Sequence, residues 1–295
     1  MSKPILHVGP VMPGWGSWEW LGQELIPEWQ QSWDVSTFDY VQEPPTHGTL
    51  VLIKHPPPAA WWERARHANR RCLYAPVDHF GSVAEIDQQA WWLSQLDHVF
   101  VHSPRLERYF TAYSQVSYLD HHWRFVTPDT VTPQPEGPIL WVGVHTNLEP
   151  LVAWLHEHSL TAPLLVLSNT EDLDPFVHGF PATAQVTMQA WTPANHLRAL
   201  QQARGAIDVK GDDFRQRHKP STKAIDFLIS GLPLAMPRHS SSVERLSFIG
   251  LNLPEPTDQA RWFSREYLQT IHAWRTQWRE PLSRAAIAQQ WMKYF

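Results

Sequence analysis

Cationic side chains and hydroxyl groups are concentrated within residues 208–237, DVKGDDFRQRHKPSTKAIDFLISGLPLAMP. The cations and hydroxyls of this segment are Arg215, Arg217, Lys219, Ser221, Thr222 and Lys223. The pattern predicts a strand over 206–209 and a helix that starts near these hydroxyls and ends at Gly231. Cations at a helix N-terminus oppose its dipole, and the fold gains from them only if an anion binds there. The segment therefore predicts a diphosphate site; the alternative is a solvated basic loop before a capped helix.

Three further segments of the chain contain candidate site residues. Asp226, one turn into the predicted helix, is placed to reach a ribose or sugar hydroxyl. Gly14 and Gly16, in GPVMPGWGSWEW, allow the backbone to approach a phosphate or a sugar closely. Asp78 and His79, in LYAPVDHFGS, follow a predicted strand, and either is a candidate general base. The alternatives are an ordinary turn before a helix for the glycines and a solvated turn for Asp78 and His79.

A pair of adjacent histidines, His121 and His122, raises the question of a metal site. Neighbouring residues in an extended chain point to opposite faces and rarely bind one ion, so we predict no metal here. We predict instead that these two side chains contact a ligand at a cleft edge. The chain shows no His-Glu-x-x-His motif, no P-loop and no Gly-x-Ser-x-Gly elbow. These absences argue against a metalloprotease, an NTPase of the P-loop class and an α/β-hydrolase.

Short apolar runs alternate with helix-like stretches along the whole chain, which is typical of parallel sheets with crossover helices. In the first half the predicted strands are 5–8, 35–40, 50–53, 72–75 and 99–101, and the predicted helices are 18–31, 59–69, 84–95 and 104–111. In the second half the predicted strands are 139–142, 164–167, 186–188, 206–209 and 234–235, and the predicted helices are 148–158, 193–202, 222–230 and 243–248, followed by helices over 261–295. Residues 126–138, which contain four prolines, predict a linker with a domain boundary near residue 130. Two Rossmann-like α/β domains that face a central cleft follow from this order.

Composition limits the cellular location and the classes of binding partner to be expected. The net charge of −5 and the pI of about 6.4 disfavour nucleic acid as the main partner. One cysteine, Cys72, excludes an internal disulfide, and no run of about 18 apolar residues predicts a membrane span. We therefore expect a cytoplasmic protein with Cys72 buried. The pairs Trp61–Trp62 and Trp91–Trp92 predict interior packing, while peripheral membrane contact and stacking on sugars remain the alternatives.

Segment 219–233, KPSTKAIDFLISGLP, resembles the signature helix of GT-B glycosyltransferases, nearest the retaining glycogen-synthase-like group (glycosyltransferase group 1). That helix reads E-A-x-x-x-G-x-P, and here the acid is Asp226, the glycine Gly231 and the proline Pro233. The opening ILHVGPVMPGWGS, the stretch LDHVFVHSPRLERYF, the stretch ILWVGVHTNLEPLVAWL and the final helix follow the order of the same family's elements.

The resemblance implies a GT-B fold with an acceptor-binding domain over 1–130, a nucleotide-sugar-binding domain over 131–280 and a helix over 281–295 that crosses back. It implies a sugar donor linked to UDP or GDP, retention of configuration, and no metal or other cofactor. Lys219, Ser221, Thr222 and Lys223 would hold the diphosphate, Gly14 and Gly16 would lie against the donor, and His79 would face the transferred sugar. The implied acceptor is a glycan, a lipid-linked sugar or a small molecule, and the oligomeric state stays open.

Two departures from the family pattern matter. The first of its two acids is replaced by His218, and the arginine and lysine after the first strand of the second domain are replaced by His145 and Asn147. Arg215, Arg217 or Lys210 would have to replace that clamp. The alternatives to a transferase are a sugar-nucleotide epimerase or hydrolase on the same fold, and a non-catalytic relative that only binds nucleotide sugars.

Overall fold

The computed structural model describes residues 2–169 and 179–295, whose strands form two parallel β-sheets. The strands of the first sheet are Ile5–Gly9 (β1), Asp34–Thr37 (β2), Thr49–Ile53 (β3), Arg71–Ala75 (β4), His98–Val101 (β5) and Val116–Tyr118 (β6). Those of the second are Ile139–Val142 (β7), Leu164–Ser168 (β8), Val186–Ala190 (β9), Gly205–Ile207 (β10) and Leu234–Ala235 (β11). The ten strands predicted from apolar runs are confirmed, with ends that shift by at most three residues.

Helices lie between most successive strands of the described residues, though not between β2 and β3 or between β6 and β7. The first half contains Gly16–Trp18 (α1), a π-helical turn over Glu19–Gln23, Ile26–Trp29 (α2), Ala59–Ala68 (α3), Val83–Gln88 (α4), Ala90–Leu93 (α5) and Pro104–Phe110 (α6). The second half contains a 3₁₀ turn over His145–Asn147 and the helices Glu149–Glu157 (α7), Pro193–Gln202 (α8), Phe214–Arg217 (α9), Thr222–Ser230 (α10), Ser241–Phe248 (α11), Gln259–Trp262 (α12), Arg265–Trp278 (α13) and Arg284–Met292 (α14). Within residues 2–169 and 179–295, no helix has both the length and the apolar character that a membrane span requires.

The chain divides into two compact units that are discontinuous in sequence. Unit 1 comprises residues 1–122, 213–221 and 281–295, and unit 2 comprises residues 123–212 and 222–280. The segment with the predicted diphosphate residues is therefore divided, because 213–221 belongs to unit 1 and 222–230 belongs to unit 2.

Unit 1 is built on a six-stranded sheet in the order β2-β1-β3-β4-β5-β6, with every neighbouring pair parallel. The central strand β3, TLVLI, is buried along its whole length, as expected for a parallel strand that is covered on both faces. Trp61, Trp62 and Trp92 are buried, which confirms the packing role predicted for them, whereas Trp91 is exposed. Cys72 is also fully buried, and burial raises the pKa of its thiol to about 12, so it behaves as an inert core residue.

Unit 2 is built on a five-stranded parallel sheet in the order β11-β10-β7-β8-β9. Helix α10 ends as the sequence predicts, at Gly231, whose φ is 89°. The N–H of Leu232 bonds the carbonyl of Phe227 at 3.0 Å and the N–H of Gly231 bonds that of Leu228 at 3.0 Å, which is the Schellman pattern. The turn fixes the direction in which the chain leaves α10 and enters β11.

Each sheet has one point where the direction of strand addition reverses. In unit 1, β2 is added on one side of β1 and β3 on the other, so the reversal lies between β1 and β3. In unit 2, β8 is added on one side of β7 and β10 on the other, so the reversal lies between β7 and β10. Open α/β sheets bind ligands beyond the carboxyl ends of their strands at such points, and the two edges defined this way are where functional side chains are expected.

The structure differs from the predicted secondary structure in three places. The helix predicted over 84–95 is interrupted at Gln89, between α4 and α5. The single helix predicted over 18–31 is divided into α1, a π-helical turn and α2. Pro27 cannot donate to a continuing helix and instead lies in the first turn of α2, while Gly22 allows the Trp18 ring to pack where a Cβ would lie 2.5 Å from it. Strand β6 was not predicted, because its short, half-buried sequence VSY has no continuous apolar run.

Candidate functional site

The reversal point of unit 2 is occupied by Lys223, which lies in the first turn of α10. Its ammonium donates to the carbonyl oxygen of Val142, at the end of β7, at 2.8 Å. It also donates to the Oδ1 atom of Asp208, which follows β10, at 3.2 Å. Lys223 therefore joins the carboxyl ends of the two strands between which the sheet reverses. Gly143 leaves room for this arrangement, since a Cβ there would lie 3.3 Å from the ammonium and 2.7 Å from the Trp141 ring.

Asp208 holds two lysines at this edge of unit 2. Its carboxylate is buried and also pairs with the Lys210 ammonium at 2.7 Å. Burial alone would raise the pKa of Asp208, but the two ammonium groups outweigh burial and the pKa lies below its usual value. The side chain of Lys210 is 4 % exposed, whereas that of Lys223 is 24 % exposed. Lys223 is thus the more exposed of the two lysines, and Lys210, predicted as a ligand contact, is a buried counterion of Asp208.

The remaining residues of the predicted diphosphate segment lie in unit 1, except Thr222, which lies in unit 2. Helix α9 begins at Asp213, whose carboxylate accepts the N–H of Gln216 at 3.0 Å. Arg215 donates to the carbonyl oxygen of His79 at 3.0 Å, and Lys219 lies near enough to Asp78 to lower its pKa. The structure therefore brings Arg215 and Lys219 together with the predicted catalytic loop. Arg217 is exposed, and Ser221 and Thr222 are buried before and at the start of α10.

Asp226 points into the interior of unit 2. Its side chain is 1 % exposed, and its Oδ1 atom accepts the backbone N–H of Arg124 at 2.7 Å. This bond ties α10 to the segment that opens unit 2 after residue 122. The contact with a ribose or a sugar that the sequence suggested stays a prediction.

We expect Asp226→Ala to lower the free energy of unfolding by about 1–3 kcal/mol, because the buried N–H of Arg124 loses its acceptor. Urea unfolding followed by circular dichroism measures the change. Asp258→Ala, which removes the exposed cap of the short helix α12, is the control and should cost less. An unchanged unfolding midpoint for Asp226→Ala would contradict this structural role.

An ion pair between Lys54 and Asp78 lies beside the reversal point of unit 1, beyond the carboxyl ends of β3 and β4. Lys54 follows β3, and its ammonium lies 2.7 Å from the Oδ1 atom of Asp78, which follows β4. Burial raises the pKa of Asp78, but Lys54 outweighs that effect and the pKa is lowered to about 2. The backbone is strained at both ends of the pair, with φ of 63° at Lys54 and 50° at Val77. Strained residues persist where the surrounding structure fixes them, and they concentrate at functional sites.

His79, predicted to face a sugar, lies next to this ion pair. Burial, followed by the charges of His55, Lys54 and Arg215, lowers the pKa of His79 to about 4. The imidazole is therefore neutral at pH 7. Its ring centroid is 6.1 Å from that of His55.

His121 and His122 are buried in unit 1, at 7 % and 1 % exposure. His122 bonds the Glu24 carboxylate through its Nε2 atom at 2.9 Å, and its backbone carbonyl accepts the Trp20 indole N–H at 2.9 Å. The His121 ring centroid lies 6.0 Å from that of His102, whose Nε2 atom contacts the His218 carbonyl at 2.7 Å. These histidines pack inside unit 1, and their predicted contact with a ligand has no direct support in this arrangement.

The other predicted residues lie in loops at the carboxyl edges of the sheets. Gly14, with φ of 80°, lies in the loop after β1 and Gly16 is the first residue of α1, and a Cβ at either would meet no atom within 4 Å. His145 and Asn147 form the 3₁₀ turn after β7, where the N–H of His145 lies 3.4 Å from the Asn169 side-chain oxygen. Across residues 2–169 and 179–295, no cluster of three His, Cys, Asp or Glu side chains is arranged to hold a metal ion.

Sequence reasoning missed Lys54, Trp15 and Asp208. Two of these residues have a signal in the sequence, since Lys54 directly follows the apolar run TLVLI and Asp208 directly follows the strand GAI. A charged residue at the carboxyl end of a parallel strand is a candidate for function, and this rule would have selected both. Trp15 has no such signal, because it lies among other tryptophans in a loop.

The fold of this chain is similar to those of several solved structures. AviGT4, a glycosyltransferase involved in avilamycin A biosynthesis, aligns over 99 % of this chain and 96 % of its own, with 11 % identity and a TM-score of 0.58. T4 phage BGT in complex with its UDP-glucose substrate aligns over 99 % of both chains, with 10 % identity and a TM-score of 0.58. WaaG, a glycosyltransferase involved in lipopolysaccharide biosynthesis, covers 97 % of this chain and 98 % of its own, with 10 % identity and a TM-score of 0.56.

No protein-family model and no curated protein matches the chain in sequence. The structural matches extend over nearly the whole length of both partners, and the fold they share is that of GT-B glycosyltransferases. The GT-B fold predicted from the sequence is confirmed.

Proposed function

We propose that the chain is a glycosyltransferase whose donor is a nucleoside-diphosphate sugar, linked to UDP or GDP. The observation that supports this most is the position of Lys223, which joins β7 and β10 where the sheet of unit 2 reverses. In open α/β folds this is the edge at which nucleotides bind. The fold adds weight, because T4 phage BGT, which shares it, is described with UDP-glucose as its substrate.

Lys223 and the first turn of α10 would stabilise the leaving diphosphate. As the sugar–phosphate bond breaks, negative charge builds up on the diphosphate, and a fixed ammonium together with the dipole of α10 lowers the energy of that state. Helix α10 has nine residues, enough for its aligned peptide dipoles to favour an anion at this end. Asp208 holds the ammonium in position before the donor arrives, which avoids reorganisation during the reaction. With this charge supplied by the chain, we propose that transfer requires no metal ion.

Unit 1 would bind the acceptor and contact the transferred sugar through Asp78 and His79. The acceptor remains, in this proposal, a glycan, a lipid-linked sugar or a small molecule. A general base works best when its pKa lies near the working pH, and the pKa values of Asp78 and His79 are lowered to about 2 and about 4. Both are weak bases, so we propose that a donor phosphate oxygen takes the acceptor proton and that the anomeric configuration is retained.

We expect one nucleoside diphosphate, UDP or GDP, to raise the melting temperature of the protein more than ADP or TDP. A ligand at about 100 times its Kd adds about 2.7 kcal/mol to the stability of the folded state. Differential scanning fluorimetry with and without EDTA measures the shift. The shift should survive EDTA; its loss in EDTA would contradict metal independence, and no shift with any nucleotide would contradict the donor site.

Incubation with the selected nucleotide sugar and an acceptor tests transfer itself. We expect ¹H NMR of the first product formed to show the donor's own anomeric configuration. An inverted product would overturn retention and return Asp78 or His79 to the role of base. Free sugar in place of a conjugate would identify a hydrolase, an altered nucleotide sugar an epimerase, and binding without any product a non-catalytic relative.

A further inference from the structure

An exposed indole lies at the reversal point of unit 1. Trp15, in the loop after β1, is 46 % exposed, whereas most tryptophans of the described residues are buried or partly buried. The Trp15 and His55 rings pack in a T-shaped pair, with centroids 5.0 Å apart and planes at 85°. The Lys54 ammonium lies 5.3 Å from the indole centroid, which is cation–π geometry. The loops after β1 and β3 therefore meet at Trp15.

The loop after β3 that supports Trp15 is rigid and strained. The N–H of His55 bonds the Ile53 carbonyl at 2.7 Å with Lys54 between them at φ of 63°, which is the rare, strained form of γ-turn. Two tyrosine hydroxyls donate hydrogen bonds to carbonyl oxygens of this turn. Tyr74 donates to the Lys54 carbonyl at 2.7 Å and Tyr40 to the His55 carbonyl at 2.6 Å. Packing of the sheet alone gives no reason for such strain, whereas a preorganised binding surface does.

Groups that bind hydroxyls adjoin the indole. The Lys54–Asp78 pair is partly exposed, at 17 % and 27 % of the two side chains, and it offers both ammonium donors and carboxylate acceptors. The opposite charges of the pair offset each other, so the pair suits an uncharged polar ligand better than an isolated ion. A flat apolar surface beside paired donors and acceptors matches a pyranose ring, which has a C–H face and a rim of hydroxyls.

We propose that Trp15 is the stacking platform of the acceptor site and that the acceptor is a carbohydrate. One face of the sugar ring lies on the exposed part of the indole, and hydroxyls at its rim bond the Lys54–Asp78 pair. The assignment of this sugar as the acceptor rests on the proposed transferase function, whereas the sugar site itself rests on the contacts of Trp15, Lys54 and Asp78.

The test is saturation-transfer NMR on the full chain without nucleotide, with methyl glucoside, methyl galactoside, methyl mannoside, N-acetylglucosamine, maltose, cellobiose and lactose as probes. We expect at least one of these sugars to bind, and Trp15→Ala to weaken that binding roughly tenfold or more, since the indole buries a large apolar area on contact. Trp15→Phe, which keeps an aromatic surface, should retain part of the affinity. Trp91→Ala is the matched control, because Trp91 is similarly exposed, at 41 %, but lies on α5 outside this edge.

Unchanged sugar binding in Trp15→Ala, an equal loss in Trp91→Ala, or no binding of any probe at millimolar concentration would each overturn the proposal. Circular dichroism and the melting temperature of each variant establish that it is folded. Nucleotide-induced stabilisation of Trp15→Ala separates the two proposals. If UDP or GDP stabilises this variant and the unmodified protein equally while no sugar binds the unmodified protein, only the carbohydrate site fails. If no nucleotide binds but sugar binding depends on Trp15, only the transferase function fails.

Discussion

Lys223→Met is expected to lower kcat for sugar transfer by about 100- to 1000-fold, the loss that follows when one preorganised group that stabilises transition-state charge is removed. Methionine keeps the length and apolar stem of lysine but cannot donate to a phosphate. The ammonium of Lys223 bonds Val142 and Asp208 at the carboxyl ends of β7 and β10. The other lysine of this cluster, Lys210, is less exposed and cannot take its place. Steady-state kinetics with the nucleotide sugar identified by thermal stabilisation measures the effect.

Two control variants separate this effect from an uncompensated charge on buried Asp208. The double variant Asp208→Asn/Lys223→Met removes the carboxylate charge and should remain as slow as Lys223→Met. Lys210→Met removes the other partner of Asp208. It should lower the free energy of unfolding, because its ammonium is buried, and should change kcat much less than Lys223→Met does. If the double variant recovers full activity, or if Lys210→Met slows transfer as strongly as Lys223→Met, the assignment of Lys223 to the diphosphate is wrong.

The stability of the protein is expected to fall steeply as the pH is lowered from about 6.5 to about 4. Burial lowers the pKa of His102 and His196 to about 4 and that of His121 well below its usual value. Between the folded and unfolded pKa values the unfolded chain binds more protons than the folded chain, so the free energy of unfolding rises with pH in that window. His102 alone contributes on the order of 3 kcal/mol, all of which is present above pH 6.5 and lost at about pH 4.

Urea unfolding at a series of pH values measures this slope. His102→Gln keeps a donor to the His218 carbonyl but does not titrate, so its stability should fall less steeply with acid. His67→Gln, on the exposed face of α3, is the matched control and should leave the slope unchanged. A wild-type profile that is flat from pH 7 to about 4 would contradict the buried, neutral state of these histidines.

Much of the fold could be predicted because buried parallel strands have continuous apolar sequences. ILWV at 139–142 and LLVLS at 164–168 are buried throughout, and both strands were predicted from these apolar runs. Strand β6 lies at the edge of its sheet with every residue half-buried, so its sequence carries no such run. The division of residues 213–221 from 222–230 depends on which unit each segment packs against, and local pattern contains no information on that.

The candidate site was predicted less completely than the fold. Lys223 was identified from its position at a helix start, because charge next to a capped helix is a local signal. The partners that give it a function, Val142 and Asp208, are distant in sequence and come together only through the order of the strands. For the same reason the Lys54–Asp78 pair was missed, although Asp78 was selected. Asp226 was selected by the resemblance, while its bond to the Arg124 N–H depends on where the chain segment before β7 lies.

The discontinuity of unit 1 has a consequence for how the chain matures on the ribosome. Trp29 donates from its indole to the Ala288 carbonyl at 3.2 Å, and the Trp291 ring packs against those of Trp29 and Phe100 at centroid distances of 5.9 and 4.5 Å. The nascent N-terminal segment therefore lacks part of its own interior until residues 281–295 have emerged. Most domains fold in order as they are synthesised, whereas this one is completed only after all of unit 2 has been translated. A gene truncated before codon 281 would leave Trp29 uncovered and the product prone to aggregate.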